Sequence, residues 1–215
     1  SILKAFKSRK IVSVSLKQID SLKKNAKAEE YNTSGKLEFD PHTFKDVKLM
    51  SSRGTFWSSK MGSIFFDQNK KMEIRAARAL GAVNVEIRGK GARGGRAGYG
   101  ELQYAARTYL GTKLEDNVVL VNKAKQLLTG KNPRLLEDFY KMVKSVHPSI
   151  KKDEFVTGLE TSKIDSIHAN LVISHIARAL VNSPAKNRNE FVTYLVNYAG
   201  SKLPISSAYV KISAG

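Results

Sequence analysis

The sequence predicts an α+β protein, a β-rich N-terminal half packed on a predominantly helical C-terminal half. Three observations predict it. Before residue 100, apolar residues alternate or cluster in short β-branched and aromatic segments. After residue 100 they recur every three or four positions. The change of period falls at a glycine- and arginine-rich stretch. The division is therefore 1–100 and 101–215, as one compact domain or two lobes sharing a core.

In the front half, residues 11–16 (IVSVSL) are β-branched and partly alternating, and 36–39 and 47–50 are short strand candidates. Residues 55–57 (TFW) and 63–66 (SIFF) are separated by Lys60, Met61 and Gly62, which reads as a hairpin. Residues 72–80 (MEIRAARAL) fit a short helix ended by Gly81, with Arg75 and Arg78 on one face. Residues 82–88 (AVNVEIR) alternate most cleanly, with Val83, Val85 and Ile87 on one side.

In the back half, Leu102, Ala105, Ala106, Tyr109 and Leu110 follow helical spacing up to Gly111. The next stripe is Leu114, Val118, Val121, Ala124 and Leu128, closed by Gly130. Asn132 and Pro133 then cap and open a helix whose inward residues are Leu136, Phe139, Tyr140 and Val143. Ser162 and Asp165 have the spacing of a capping box with Asp in place of Glu. They precede the clearest helix, carrying Ile164, Ile167, Leu171, Ile176, Ala179 and Leu180. Phe191, Leu195, Tyr198 and Ala199 mark a last helix, and residues 208–212 a strand returning to the sheet.

Charge supplies the functional signal. The 215 residues include 37 Lys+Arg against 19 Asp+Glu, a net charge of +18. Residues 1–100 carry 21 basic and 9 acidic side chains, residues 101–215 carry 16 and 10, so the excess sits in the front half. Such a field draws in polyanions whatever the fold. It is densest where Arg88, Lys90, Arg93 and Arg96 run without an acid and six of the 15 glycines lie between Gly89 and Gly100. Glycine lets backbone approach a partner closely, and arginine presents a planar fork suited to phosphate oxygens. The expected phosphate contacts are Lys90, Arg93 and Arg96, flanked by Arg88 and Arg107 and extended by Arg75 and Arg78. A basic N-terminal arm with Lys7, Arg9 and Lys10 adds a second cluster. Tyr99 and Trp57, the latter near Arg53, are the candidate stacking rings, with a core role the alternative for Trp57.

Several classes of chemistry lose ground. There is no cysteine for disulfides, thiolate metal sites or thiol nucleophiles. No apolar run reaches the roughly 18 residues of a bilayer span, and no signal peptide is evident. Residues 89–94 spell G-x-G-x-x-G, but the preceding strand alternates in polarity where a central parallel strand is apolar on both faces. His168 and His175 stand seven apart, not the four that favour metal ligation on one helix. No cofactor is expected.

The pattern points to a non-enzymatic nucleic-acid-binding protein inside a nucleic-acid-containing compartment or particle. RNA or a single strand is favoured, held mainly through phosphates, with self-association as a coating nucleoprotein requires. The competing classes are a metal-dependent nuclease drawing on Asp40, Asp46, Asp67, Glu73 or Glu86, and a matrix-like protein on an anionic membrane surface.

Overall fold

A computed structural model describes residues 13–16, 26–31, 40–49, 56–57, 61–68, 70–76, 83–88, 95–200 and 209–214. The strands are β1 (Ser13–Leu16), β2 (Ala26–Tyr31), β3 (Phe44–Lys48), β4 (Met61–Phe66), β5 (Lys70–Ala76), β6 (Val83–Arg88), β7 (Arg96–Ala97) and β8 (Tyr209–Ala214). The helices are α1 (Tyr99–Tyr109), α2 (Asn117–Leu128), α3 (Pro133–Val146), α4 (Lys152–Glu160), α5 (Ile164–Asn182) and α6 (Ala185–Ala199). The chain divides into two compact units, residues 41–199 and residues 1–40 with 200–215.

The larger unit has the α+β layout. Its five-stranded antiparallel sheet runs β3-β4-β5-β6-β7 in sequence order. One sheet face is apolar because alternate residues point the same way. Ile64, Phe66, Met72, Ile74, Val85, Ile87 and Ala97 are all buried. Against this face lies α5, which is buried over most of its circumference and includes the buried polar residues Ser166, His168, Asn170 and Ser174. Helices α2 and α3 cover its other side, while α6 packs on β3, β6, β7 and α1. α5 approaches the sheet closely at Gly62, where a methyl would collide with Ile173.

Edge strand β3 is tied to α6 by side chains. The Phe44 N–H donates to Asn189 Oδ1 (2.9 Å) and the His42 N–H to Thr193 Oγ1 (2.8 Å). A core of rings anchors the far end. Phe56, Trp57, Phe139 and Phe155 touch one another at centroid distances from 4.9 to 6.2 Å.

In the smaller unit β8 is the central strand of three, parallel to β1 and antiparallel to β2. The strand foreseen at 208–212 thus exists, but its partners are β1 and β2, not the five-stranded sheet.

Several local expectations are corrected. Residues 70–76 form strand β5, not a helix. Lys71, Glu73 and Arg75 alternate with Met72 and Ile74, and pairing on both sides to β4 and β6 overrides the helix-forming composition. Arg75 therefore does not share a helical face with Arg78, which lies outside the described residues. Phe56 and Trp57 form a turn, and the hairpin joins β4 to β5 around Asp67. On α2 the inward residues are Leu120, Ala124 and Leu127, whereas Val118 is 72% exposed and Leu128 40%. Lys163, not Ser162, is the N-cap of α5, and Ser162 Oγ instead donates to the Gly158 carbonyl (2.7 Å). Helix α4 was not foreseen. The strand candidate at 36–39 lies outside the described residues.

Acid should unsettle this core in two steps. His168 on α5 is fully buried with Nε2 lacking a hydrogen-bond partner, and burial holds its pKa below the ordinary 6.5. Burial likewise lowers that of His175, although Glu115 opposes it. The unfolded chain then takes up these protons first, so stability declines as pH falls below about 6.5. Asp67 follows at lower pH. Burial would raise its pKa, but hydrogen bonds from the Thr43 N–H and His42 outweigh that and hold it below 3.8. Its contribution is present above that value and lost as pH falls through the folded-state pKa. Urea midpoints should therefore drop between pH 7 and pH 5, and His168→Gln should flatten that slope. An unchanged slope in the variant would assign the effect elsewhere.

Candidate nucleic-acid interface

The glycine- and arginine-rich stretch lies in sequence between β6 and β7, which pair antiparallel. Glu86 pairs with Arg96 and Val85 with Ala97, and the Ile87 N–H donates to the Gly95 carbonyl (3.2 Å). A dinucleotide fold needs its glycine loop between a parallel strand and a helix. Here the loop leads from one antiparallel strand to its neighbour, and β7 intervenes before α1.

Gly95 fixes the foot of this hairpin. A methyl on its Cα would collide with the main-chain carbonyl of Ala199, the last residue of α6. The descending arm thus reaches van der Waals contact with another backbone, an approach only glycine permits.

The sheet face opposite the apolar one is charged. One cross-strand row reads Lys48, Ser63, Glu73, Glu86, Arg96 from β3 to β7. Glu73 and Glu86 are direct neighbours and nearly buried, with residue exposures of 7% and 8%. Two like charges so placed need compensation. Lys71 Nζ lies 2.7 Å from Glu73 Oε1. Arg75 Nη1 reaches Glu86 Oε2 at 3.2 Å and Arg96 Nε reaches Oε1 at 3.1 Å. One carboxylate therefore holds a guanidinium from each neighbouring strand, and the trio keeps a net positive charge. Arg96 remains largely exposed. Lys48 Nζ sits 5.5 Å from the Phe65 ring centroid on the same face.

The other expected contacts are distributed as follows. Arg88 ends β6 in register with Lys71. Arg107 is exposed on α1. Lys7, Arg9, Lys10, Arg53, Arg78, Lys90 and Arg93 lie outside the described residues. Neither candidate stacking ring stands free. Trp57 is buried in the aromatic core and its indole N–H donates to the Phe155 carbonyl at 2.7 Å, so the core alternative is its place. The Tyr99 hydroxyl donates to the Glu115 carbonyl (2.7 Å), which ties α1 to the segment before α2, and burial raises its pKa strongly.

The carboxylates considered for nuclease chemistry are engaged in structure. Asp67 has φ +50° and is bound by His42 Nδ1 (2.8 Å), the Thr43 N–H (3.0 Å) and Lys70 Nζ (3.3 Å). Among the described residues no three His, Asp or Glu side chains converge to hold a metal ion. Among them, too, no helix is long and apolar enough to cross a membrane.

Four tyrosines distant in sequence come together between α1 and α6. Tyr104 and Tyr109 of α1 meet Tyr194 and Tyr198 of α6 along the antiparallel contact of these helices. Aromatic residues on two helical patterns some 90 positions apart carry no sequence signal that they touch. No family model, curated protein or solved structure matches the chain.

Proposed function

We propose that this protein binds RNA or another single-stranded nucleic acid, without chemical turnover, mainly through phosphates and with little preference for sequence. The observation that carries this reading is the β6–β7 hairpin. Arg88 ends β6 and Arg96 begins β7, Lys90 and Arg93 fall between them in sequence, and Glu86 holds Arg75 and Arg96 in place. Guanidiniums already ordered by a carboxylate lose less side-chain freedom when a phosphate arrives. The net charge of +18 supplies the long-range attraction. Such binding belongs in a compartment or particle that contains nucleic acid. Coating a strand further requires copies to associate along it, for which a cooperative isotherm is the expected sign.

Fluorescence anisotropy with labelled RNA and DNA of about 20 nucleotides, single-stranded and duplex, tests the proposal across a KCl series. Log K should fall linearly with log salt, with a slope of several units. Tighter binding of single strands is expected, and the label should stay intact when Mg2+ is added. Binding to anionic vesicles but to no nucleic acid would sink the reading, and magnesium-dependent loss of the label would replace it with a nuclease.

A further inference from the structure

We infer that the seam between α1 and α6 is a stacking platform for the bases of a single strand whose phosphates lie on the β6–β7 hairpin. The inference rests on the nucleic-acid reading above and adds where the bases go. Tyr194 lies buried at the centre of the seam. Tyr104 packs against it at a centroid distance of 5.2 Å, Tyr109 at 5.5 Å and Tyr198 at 6.1 Å. Tyr104 is 53% exposed, so part of its ring is open to a ligand.

Position joins these rings to the start of β7. Tyr198 immediately precedes Ala199, whose carbonyl abuts Gly95 at the foot of the hairpin. From there the row runs along α1 toward Tyr109, where Asn187 Nδ2 donates to the Tyr109 carbonyl (2.8 Å). From Glu101 to Tyr109 a helix rises about 12 Å, comparable to three or four bases stacked about 3.4 Å apart. A strand running along this seam from β7 meets the exposed Tyr104 ring, and every base has a face to stack.

The electrostatics permit it. A tyrosine is neutral at physiological pH, and burial moves the pKa of Tyr109, Tyr194 and Tyr198 further above it. Glu101, the carboxylate inside the seam, accepts the Tyr194 hydroxyl at 2.8 Å and faces that of Tyr198. Glu190 lies 3.9 Å from Lys186 one turn away. Arg107 is exposed one turn beyond Tyr104, where a phosphate between stacked bases would pass.

Tyr104→Ala and Tyr104→Phe, measured on the full chain, decide the matter. The alanine variant should weaken single-stranded RNA binding by about 5- to 100-fold, leaving the salt slope and the affinity for inorganic polyphosphate unchanged. The phenylalanine variant should bind like the parent. Ultraviolet crosslinking of the parent to uridine-rich RNA should attach nucleotide to the peptide bearing Tyr104. Parental affinity in the alanine variant, or a crosslink confined to other peptides, overturns the platform while leaving the nucleic-acid reading intact. An equal loss toward polyphosphate would assign the effect to misfolding and overturn it too. Absence of nucleic-acid binding by the parent removes both.

Discussion

Gly95→Ala is expected to lower stability by roughly 1–3 kcal/mol and to loosen the hairpin from α6. The added methyl has nowhere to go, because its neighbour is the Ala199 main-chain carbonyl, not a side chain that could rotate away. Relief requires the β7 backbone or the end of α6 to move. Either movement breaks the Ile87–Gly95 hydrogen bond or the packing of α6 on β7. Neighbouring glycines provide the contrast. A methyl at Gly98 or Gly100 meets nothing within 4 Å, and Gly100 lies inside α1. Gly100→Ala should therefore stabilise by about 0.5–1 kcal/mol through helix propensity. Urea denaturation of the two variants should shift in opposite directions. If Gly95→Ala unfolds like the parent, the close approach does not exist in solution.

Neutralising Lys90, Arg93 and Arg96 together, each to Gln, should flatten the salt dependence of binding by roughly two to three units of slope. Affinity at moderate salt should fall about 10- to 100-fold. Each phosphate contact releases about 0.7 to 0.9 counterions, so the slope counts contacts directly. Charge-preserving Arg93→Lys with Arg96→Lys should keep most of the slope but lose affinity, because an ammonium lacks the planar fork. Replacing Arg96 frees Glu86 from one of its two guanidiniums, so folding of the variant must be checked by its urea midpoint. A parental slope in the triple variant would remove the hairpin from the interface.

The α+β layout was legible because strand and helix periods occupy separate stretches of chain. Val83, Val85 and Ile87 alternate, and Ile167, Leu171, Ile176 and Leu180 recur as a helix does, so β6 and α5 announce themselves. Residues 72–80 misled because glutamate, arginine, alanine and leucine favour helix while Met72 and Ile74 also fit a strand. Two neighbouring strands settled what propensity could not. Helix α4 was hidden by two features. Only Phe155 and Leu159 mark its buried face, and Gly158 reads as a breaker. That glycine is needed, since a methyl there would strike the Trp57 ring. The strand before the glycine-arginine segment was legible in Val83, Val85 and Ile87, but the two-residue β7 that follows it was not. Rings brought together by tertiary packing were not legible either, because the α1–α6 contact relates residues that no local pattern connects. Nor could composition tell that Trp57 spends its indole N–H on the Phe155 carbonyl inside the core.

The strand order of the smaller unit carries a consequence for how the protein assembles itself. β8 is the middle strand, and β1 and β2 each hydrogen-bond to it. Some 180 residues separate β2 from β8 along the chain, so this sheet has very high contact order. The larger unit is contiguous in sequence, a meander followed by consecutive helices. It should therefore mature first, during synthesis, while β1 and β2 wait without a partner until residue 214 has emerged. A chain halted before Tyr209 would retain the sheet and helices that carry the hairpin yet leave two strand edges open. Such edges invite pairing with another chain, which makes early termination a route to aggregation from an otherwise folded molecule.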